Sequence, residues 1–373
     1  MKRSVLHDLH EKMGGHFAEV AGWEMVADYG DAEAEHRSVR TAAGLIDLSH
    51  RGKLRLTGRD RVSFLHGMIT HDVKGLKEGE GRYAALLTAQ GQTLADLKVY
   101  CRPDHLLLDL EPGLAERVRA ALNRYLISED VDIQDVTEGL SLVAVCGPAS
   151  PEALRPVTEV SGLGVYGSAA AGDVLAVRSD DTGEAGFLLF APPAQAEGLW
   201  AGLCERGARP VGLTAFRALR MEAGVPVYGV DIEESATPIE ASIGHAVSFD
   251  KGCYIGQEVI AKMTYRGRPR RHLVGFAVEG DTPPSAGDRV MQRIDDPMQR
   301  IDDSMRDGAE VGHVTSGLRS PSLGRVIAFG YVKRDTNQIG SRVEILSSGR
   351  VLSAEIVETP FYRRGPGTVN REP

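Results

Sequence analysis

The stretch Gly81-Arg-Tyr-Ala-Ala-Leu-Leu-Thr88, Ala89-Gln-Gly-Gln92, Thr93-Leu-Ala-Asp-Leu-Lys-Val-Tyr100 reads as two β-strands joined by a tight turn, and it sets the fold class. Side chains alternate along the second strand. Leu94, Asp96, Lys98 and Tyr100 lie on one side, and Ala95, Leu97 and Val99 on the other. By pattern alone the first row is the solvated face of an antiparallel sheet, with a polar cavity facing Asp96 as the alternative. The flanking segments carry the same texture. Gly52-Lys-Leu-Arg-Leu-Thr-Gly58 alternates Leu54 and Leu56 with Lys53 and Arg55, which marks a half-exposed strand. Leu106-Leu-Leu-Asp-Leu110 is a further strand, and residues 114–127 repeat Leu114, Val118, Leu122 and Tyr125 at helical spacing.

Moving outward, residues 60–68, 194–206 and 214–223 read as helices, the last capped by Thr214 and stopped at Gly224-Val-Pro226. Residues 131–133, 140–147, 174–177 and 186–190 read as strands. The first part of the chain reads as a helix, a loop holding Gly14-Gly15-His16 and Ala21-Gly-Trp-Glu-Met25, and a helix over 32–43. Such packets imply an α+β protein with antiparallel sheets and helices on one face. From Leu273 onward, short apolar runs at even spacing imply a separate β-barrel. The expected division is therefore 1–272 and 273–373. Met291-Gln-Arg-Ile-Asp-Asp-Pro297 is nearly duplicated by Met298-Gln-Arg-Ile-Asp-Asp-Ser304, which reads as a loop insertion over about 291–305 lengthening a hairpin.

Composition narrows the function classes. A formal charge of −9 over 373 residues argues against an extended nucleic-acid footprint, although Arg266-Gly-Arg-Pro-Arg-Arg271 is locally basic and reads as a solvated loop or small-anion site. No apolar run reaches membrane-spanning length and the N-terminal residues lack a secretory apolar core, so no membrane contact and a cytoplasmic address are expected. Cys101, Cys146, Cys204 and Cys253 form no C-x-x-C pair, which suits a reducing compartment and leaves no local cassette for a permanent metal or cluster. His50, His66 and His71 have no spacing that demands a metal.

One cysteine stands apart. Ser248-Phe-Asp-Lys-Gly-Cys-Tyr-Ile-Gly-Gln-Glu-Val-Ile260 displays Cys253 between Gly252 and Gly256, just ahead of an expected helix. Helix-start amides with Lys251 and Lys262 would favour its thiolate. In isolation such a residue reads as a small hydrophobe in a turn.

Several segments together bring a family into view. Ala21-Gly-Trp-Glu-Met25, Asp47-Leu-Ser-His50, Arg220-Met-Glu-Ala-Gly224 with Tyr228-Gly-Val-Asp231, Pro238-Ile-Glu-Ala241, Thr315-Ser-Gly-Leu-Arg-Ser-Pro-Ser-Leu-Gly324 and Pro360-Phe-Tyr-Arg363 resemble the folate-binding aminomethyltransferase (glycine cleavage T-protein) superfamily. The resemblance runs end to end and implies a ring-like, three-part fold: two α+β folate-binding subdomains and a C-terminal β-barrel, with tetrahydrofolate in a central channel. It places Asp96 at the catalytic aspartate and Tyr83 and Tyr100 on the folate site, with Arg363 a further cofactor-binding candidate. It thereby reverses the pattern-based reading of Asp96.

The sequence also departs from that superfamily's pattern. Lys251-Gly-Cys-Tyr-Ile-Gly-Gln-Glu258, continuing to Tyr265-Arg-Gly267, resembles the signature of the YgfZ branch, which supports iron–sulfur proteins. Its motif residues are Lys251, Gly252, Cys253, Tyr254, Gly256, Gln257 and Glu258. Where T-proteins carry a pterin-gripping glutamate this chain has Leu188; where they carry a tyrosine before Thr-Gly it has Asp181; and Phe216, beside Arg217, takes the place of an arginine. These departures rank first a folate-binding protein that helps assemble or repair iron–sulfur clusters in client enzymes, tRNA-modifying radical enzymes among them. It would act through Cys253 and Asp96, hold a cluster at most transiently, and have folate and iron–sulfur client or carrier proteins as partners, with no nucleic acid directly. The alternative is a tetrahydrofolate-dependent aminomethyltransferase, moving a methylene group from a lipoyl-bound aminomethyl carrier to folate with release of ammonia. A non-catalytic, folate-responsive scaffold comes third.

Overall fold

The computed structural model describes residues 1–265, 267–292 and 308–364. The hairpin forms as its pattern requires. Gly81–Leu87 pairs antiparallel with Thr93–Cys101, setting Tyr83 opposite Lys98 and Ala85 opposite Asp96. Three more strands extend it into a five-stranded antiparallel sheet, in the order Gly81–Leu87, Thr93–Cys101, Leu106–Leu110, Gly52–Thr57, Asp132–Asp135. Its even-numbered or odd-numbered partners split cleanly. Leu97, Val99, Leu54, Leu108 and Leu110 pack under the helices Arg61–Met68 and Ala115–Asn123. The other face carries Asp96, Lys98, Asp109 and Lys53 and turns inward, not to solvent.

A six-stranded sheet stands opposite, in the order Ser168–Ala171, Val174–Ser179, Gly186–Ala191, Ser141–Cys146, Gly44–Asp47, Arg209–Pro210. Helices were expected on one face only. Both faces of this sheet are covered, because Ser141–Cys146 and Gly186–Ala191 are buried along their whole length instead of alternating. One face packs on Trp200 and Leu203 of the helix Pro193–Glu205. The other meets the helices Ala32–Thr41 and Leu213–Glu222, together with Tyr100 and Leu107 from the first sheet.

Two local expectations are corrected. The segment holding Ala21-Gly-Trp-Glu-Met25 is not a loop: His16–Val20 and Trp23–Asp28 form an antiparallel pair turning at Ala21 and Gly22, and Lys2–Arg3 adds in parallel. Thr214 does not cap its helix; the cap position is Gly212, whose N–H donates to the Glu35 carboxylate.

The C-terminal part is a closed six-stranded barrel, in the order Arg271–Val278, Arg325–Lys333, Glu310–Ser320, Arg289–Gln292, Arg342–Ser347, Arg350–Val357. The duplicated segment expected as an insertion over about 291–305 lies, from residue 293 on, outside the described residues. Two carboxylates tie the barrel down. Asp231 accepts from the hydroxyls of Thr315 (2.9 Å) and Ser316 (2.5 Å). Glu222 accepts from His36 (2.9 Å), Arg40 (2.6 Å), Ser320 (2.5 Å) and both the N–H and hydroxyl of Ser322.

Burial works to raise the Glu222 pKa, but the bonds from His36, Arg40 and Ser320 overcome it and hold the carboxyl at about 2. Its contribution is therefore present above the ordinary glutamate range and lost as pH falls toward about 2. Glu222→Gln should cost about 2–4 kcal/mol at pH 7, because the buried Arg40 guanidinium loses its counter-charge and the donors around it lose a charged acceptor. Urea denaturation checks this; an unchanged midpoint would remove Glu222 as the tie between barrel and core.

Candidate active site

The inward face of the first sheet is where charge collects. Asp96 is 8% exposed and Lys98 7%, so the row that looks solvated by pattern is buried. Charges placed there need partners, since an isolated ion in such a setting is prohibitively costly. Lys98, Arg51 and Arg220 find theirs at long sequence separation. Lys98 Nζ donates to Asp181 Oδ2 at 2.6 Å, from the loop after Val174–Ser179 of the second sheet. Arg51 donates through Nε to Asp109 (2.7 Å) and through Nη1 to Glu111 (2.8 Å). Arg220, from the helix Leu213–Glu222, donates to the same Glu111 at 3.0 Å. Lys53, expected at a half-exposed strand position, is fully buried with its ammonium on the Ser49 carbonyl at 2.8 Å. Burial lowers its pKa to about 8.

The Lys98–Asp181 pair and the Arg51, Asp109, Glu111 and Arg220 cluster floor a cavity of about 30 Å³, walled by Tyr83, Tyr166 and His245, which Lys53 does not line. The Tyr83 ring stacks on His245 (centroids 5.3 Å) and on Tyr166 (6.4 Å). Asp96 sits between floor and wall. Its Oδ2 accepts the Tyr83 hydroxyl at 2.7 Å, and its Oδ1 is buried with no partner. Burial first, then the charge of Glu111, push Asp96 up to about 6, against the hydrogen bond from Tyr83. Glu111 goes the other way. Burial would raise it, but Arg220 and Arg51 clamp it well below the usual carboxylate range. Arg220 Nε is a second buried polar atom with no partner.

Tyr100 does not line the cavity but packs in the apolar layer between the sheets, with its hydroxyl 3.5 Å from Asp109, which does line it. Leu188 and Phe216, the two departures from the T-protein pattern that replace a glutamate and an arginine, pack in that same layer, so both polar groups are exchanged for apolar contact. Asp181 lines the cavity through its pair with Lys98. Arg363 is exposed and pairs with Glu358 at 3.2 Å, away from the cavity.

Cys253 is exposed and does not line the cavity. The helix expected directly after it begins four residues on, at Gln257. Lys251 turns its ammonium to the carbonyls of His66, Ile69 (2.6 Å) and His71 (3.1 Å), and Lys262 pairs with Glu258 at 2.6 Å, so both cations expected to favour a thiolate are engaged elsewhere. Gly256 serves packing: at φ +82° a Cβ would stand 2.6 Å from the Thr88 carbonyl. Tyr254 packs with Ala85 and Leu87, fastening this segment to the hairpin.

Sequence reasoning did not single out Arg51, Glu111, Tyr166 or His245. Asp109 carried a signal, a carboxylate inside the apolar run Leu106-Leu-Leu-Asp-Leu110. Among the described residues no group of three histidines, cysteines or carboxylates is placed to hold a metal ion, and no helix is long and apolar enough to cross a membrane.

Comparison with known proteins agrees with this architecture. Residues 6–251 match the model of the GCVT N-terminal domain, and residues 271–363 that of the glycine cleavage T-protein C-terminal barrel domain. An aminomethyltransferase of Rubrobacter xylanophilus is 37% identical, over 98% of this chain and 95% of its own length. One of Saccharopolyspora erythraea is 35% identical, over 97% and 98%. The crystal structure of glycine cleavage system aminomethyltransferase T from Bartonella henselae superposes with a TM-score of 0.87 at 28% identity, covering 97% of this chain and 98% of the other. These likenesses correct the first-ranked sequence reading. Iron–sulfur cluster support, drawn from the Cys253 segment, gives way to end-to-end similarity with proteins named aminomethyltransferase.

Proposed function

The chain belongs to the glycine cleavage T-protein family, and on that premise we propose that it is a tetrahydrofolate-dependent aminomethyltransferase in which Asp96 is the acting carboxylate. The observation that carries this reading is the state of Asp96, a residue that lines the cavity: one oxygen is held by Tyr83, and the other is buried and unpartnered. A buried acceptor without a donor is uncommon in a native fold and is expected where a ligand completes it.

The residues present fit a reduced folate. Asp96 Oδ1 suits a ring N–H, Arg220 Nε suits a ring oxygen, and the Tyr83, Tyr166 and His245 rings suit a flat heterocycle. The cavity of about 30 Å³ has room for about one or two water molecules, so a ligand of folate size enters only as lining side chains move outward. When bound, tetrahydrofolate would supply the nitrogens that take up the one-carbon unit from the lipoyl-bound aminomethyl group of a carrier, with release of ammonia.

The chain's own contribution is orientation and charge. Asp96 would accept the ligand N–H, fix its position, and set a negative charge beside positive charge as it develops. Burial keeps water from screening that charge. Because its pKa stands near 6, the same oxygen can hold a proton within the physiological range. Tyr83 tunes this by donating to the ionised form. Tyr83→Phe should therefore move the acid limb of the rate upward, by up to about one pH unit, while Glu111, Arg51 and Arg220 stay clamped as before. A pH–rate profile of the variant checks this, and an unmoved limb would detach Tyr83 from the chemistry.

Calorimetry with tetrahydrofolate tests the binding half of the proposal. Wild type should bind, and Asp96→Asn should bind at least about tenfold more weakly. Absence of binding in the wild type would overturn the assignment.

A further inference from the structure

Two motifs singled out in the sequence take no part in the central cavity. Ala21-Gly-Trp-Glu-Met25 and Asp47-Leu-Ser-His50 meet instead around a second cavity, of about 450 Å³, with Trp23 and His50 among its lining residues. It is far roomier than the central one and lies within the range of small-molecule sites. One wall is bare backbone. Ala21 (φ +49°) and Gly22 (φ +83°) turn opposite Gly113 (φ +81°), where an added Cβ would come 3.6 Å from the Ala21 Cβ. The cavity lies close to the central site along the chain: His50 and Gly113 line it, while Arg51, the next residue after His50, and Glu111, two residues before Gly113, line the other.

His50 is the polar group that asks for a ligand. It is 4% exposed, and its Nδ1 is buried without a hydrogen-bond partner. Burial pushes its pKa down to about 4, so the imidazole is neutral at pH 7 and offers a lone pair on one ring nitrogen. Leaving such an atom unmade costs about 1–3 kcal/mol, which a bound donor would recover.

The rim indicates the chemistry of that donor. Lys2 Nζ lies 5.7 Å from the Trp23 ring centroid and donates to Glu138 at 2.5 Å. Both members of the pair are mostly exposed, so the pair adds little to stability. An indole face backed by a carboxylate is an arrangement that receives a protonated amine. Asp135 brings a second carboxylate to the rim, where it accepts from the Thr137 N–H, whereas Glu116 is turned to Arg119. We propose that this cavity is a binding site for a primary ammonium group carried by a small amine, and that Lys2 is the intramolecular occupant such a ligand displaces. The site stands apart from the proposed folate cavity and does not depend on the aminomethyltransferase reading.

The test uses methylammonium chloride titrated into the full-length protein, followed by the ¹H–¹⁵N signals of the His50 imidazole and the Trp23 indole. A saturable shift is expected in the wild type, absent with sodium chloride at equal ionic strength. Lys2→Met should bind several-fold more tightly, since the internal competitor is gone, and Glu138→Gln about tenfold more weakly. Both substituted side chains are exposed, so folding is not at issue. A linear shift, an equal response to sodium, or a Lys2→Met variant that binds no tighter would overturn the proposal.

Discussion

Asp96→Asn is expected to lower aminomethyl transfer by about 10²–10⁴-fold while making the protein more stable at pH 7, by the order of 2–3 kcal/mol. The two effects share one cause. The fold raises Asp96 from the ordinary aspartate value to about 6 because burial and the neighbouring Glu111 disfavour its ionised form. A carboxyl raised in this way binds its proton more tightly folded than unfolded. Its stabilising contribution is thus complete below the unfolded pKa, declines as pH rises through about 6, and is replaced above that by the cost of a buried anion. Asparagine carries no charge, can still accept from the Tyr83 hydroxyl, and escapes that cost. The gain over wild type should appear in urea denaturation at pH 7 and fade as pH falls from about 6 toward 4. Loss of activity together with loss of stability would instead mark Asp96 as structural.

Lys98→Met should destabilise the protein by about 3–5 kcal/mol, and the double variant Lys98→Met, Asp181→Leu should recover most of that loss. The pair is buried on both sides and joins the two sheets across the cavity at 2.6 Å. Burial alone would raise Asp181, and it stays ionised because Lys98, then Arg220 and Arg51, hold its carboxyl well below the usual range. Removing the lysine strands a buried carboxylate; removing both leaves an apolar contact of comparable size, which folded proteins tolerate. Denaturation midpoints for the two single variants and the double variant close a thermodynamic cycle. A double variant no more stable than Lys98→Met would show that the pair is not the coupled unit that the geometry describes.

The two-residue period of 93–100 and the even spacing of strands after residue 273 were enough to read the α+β class and the barrel, because both signals are local. The buried charges were not legible in the same way. Asp96, Lys98 and Lys53 sit at alternating polar positions, and alternation states only that a face is polar, not whether water or ion partners satisfy it. Those partners lie far along the chain: Asp181 is 83 residues from Lys98, and Glu111 is 109 from Arg220. Family resemblance, not pattern, turned Asp96 inward. Resemblance also misled at Cys253, where a short signature outweighed similarity along the whole chain. Its two lysines proved to be engaged with backbone and Glu258. The Trp23 turn looked like a loop because Gly14, Gly15, Ala21 and Gly22 punctuate strands only five and six residues long.

Ammonia release from an aminomethyl-loaded lipoyl carrier protein, measured with and without tetrahydrofolate, reads the transfer reaction itself. The wild-type protein should release ammonia only when tetrahydrofolate is present, and Asp96→Asn should release it at no more than about one hundredth of that rate. A wild-type protein that releases no ammonia in a tetrahydrofolate-dependent way would not be an aminomethyltransferase.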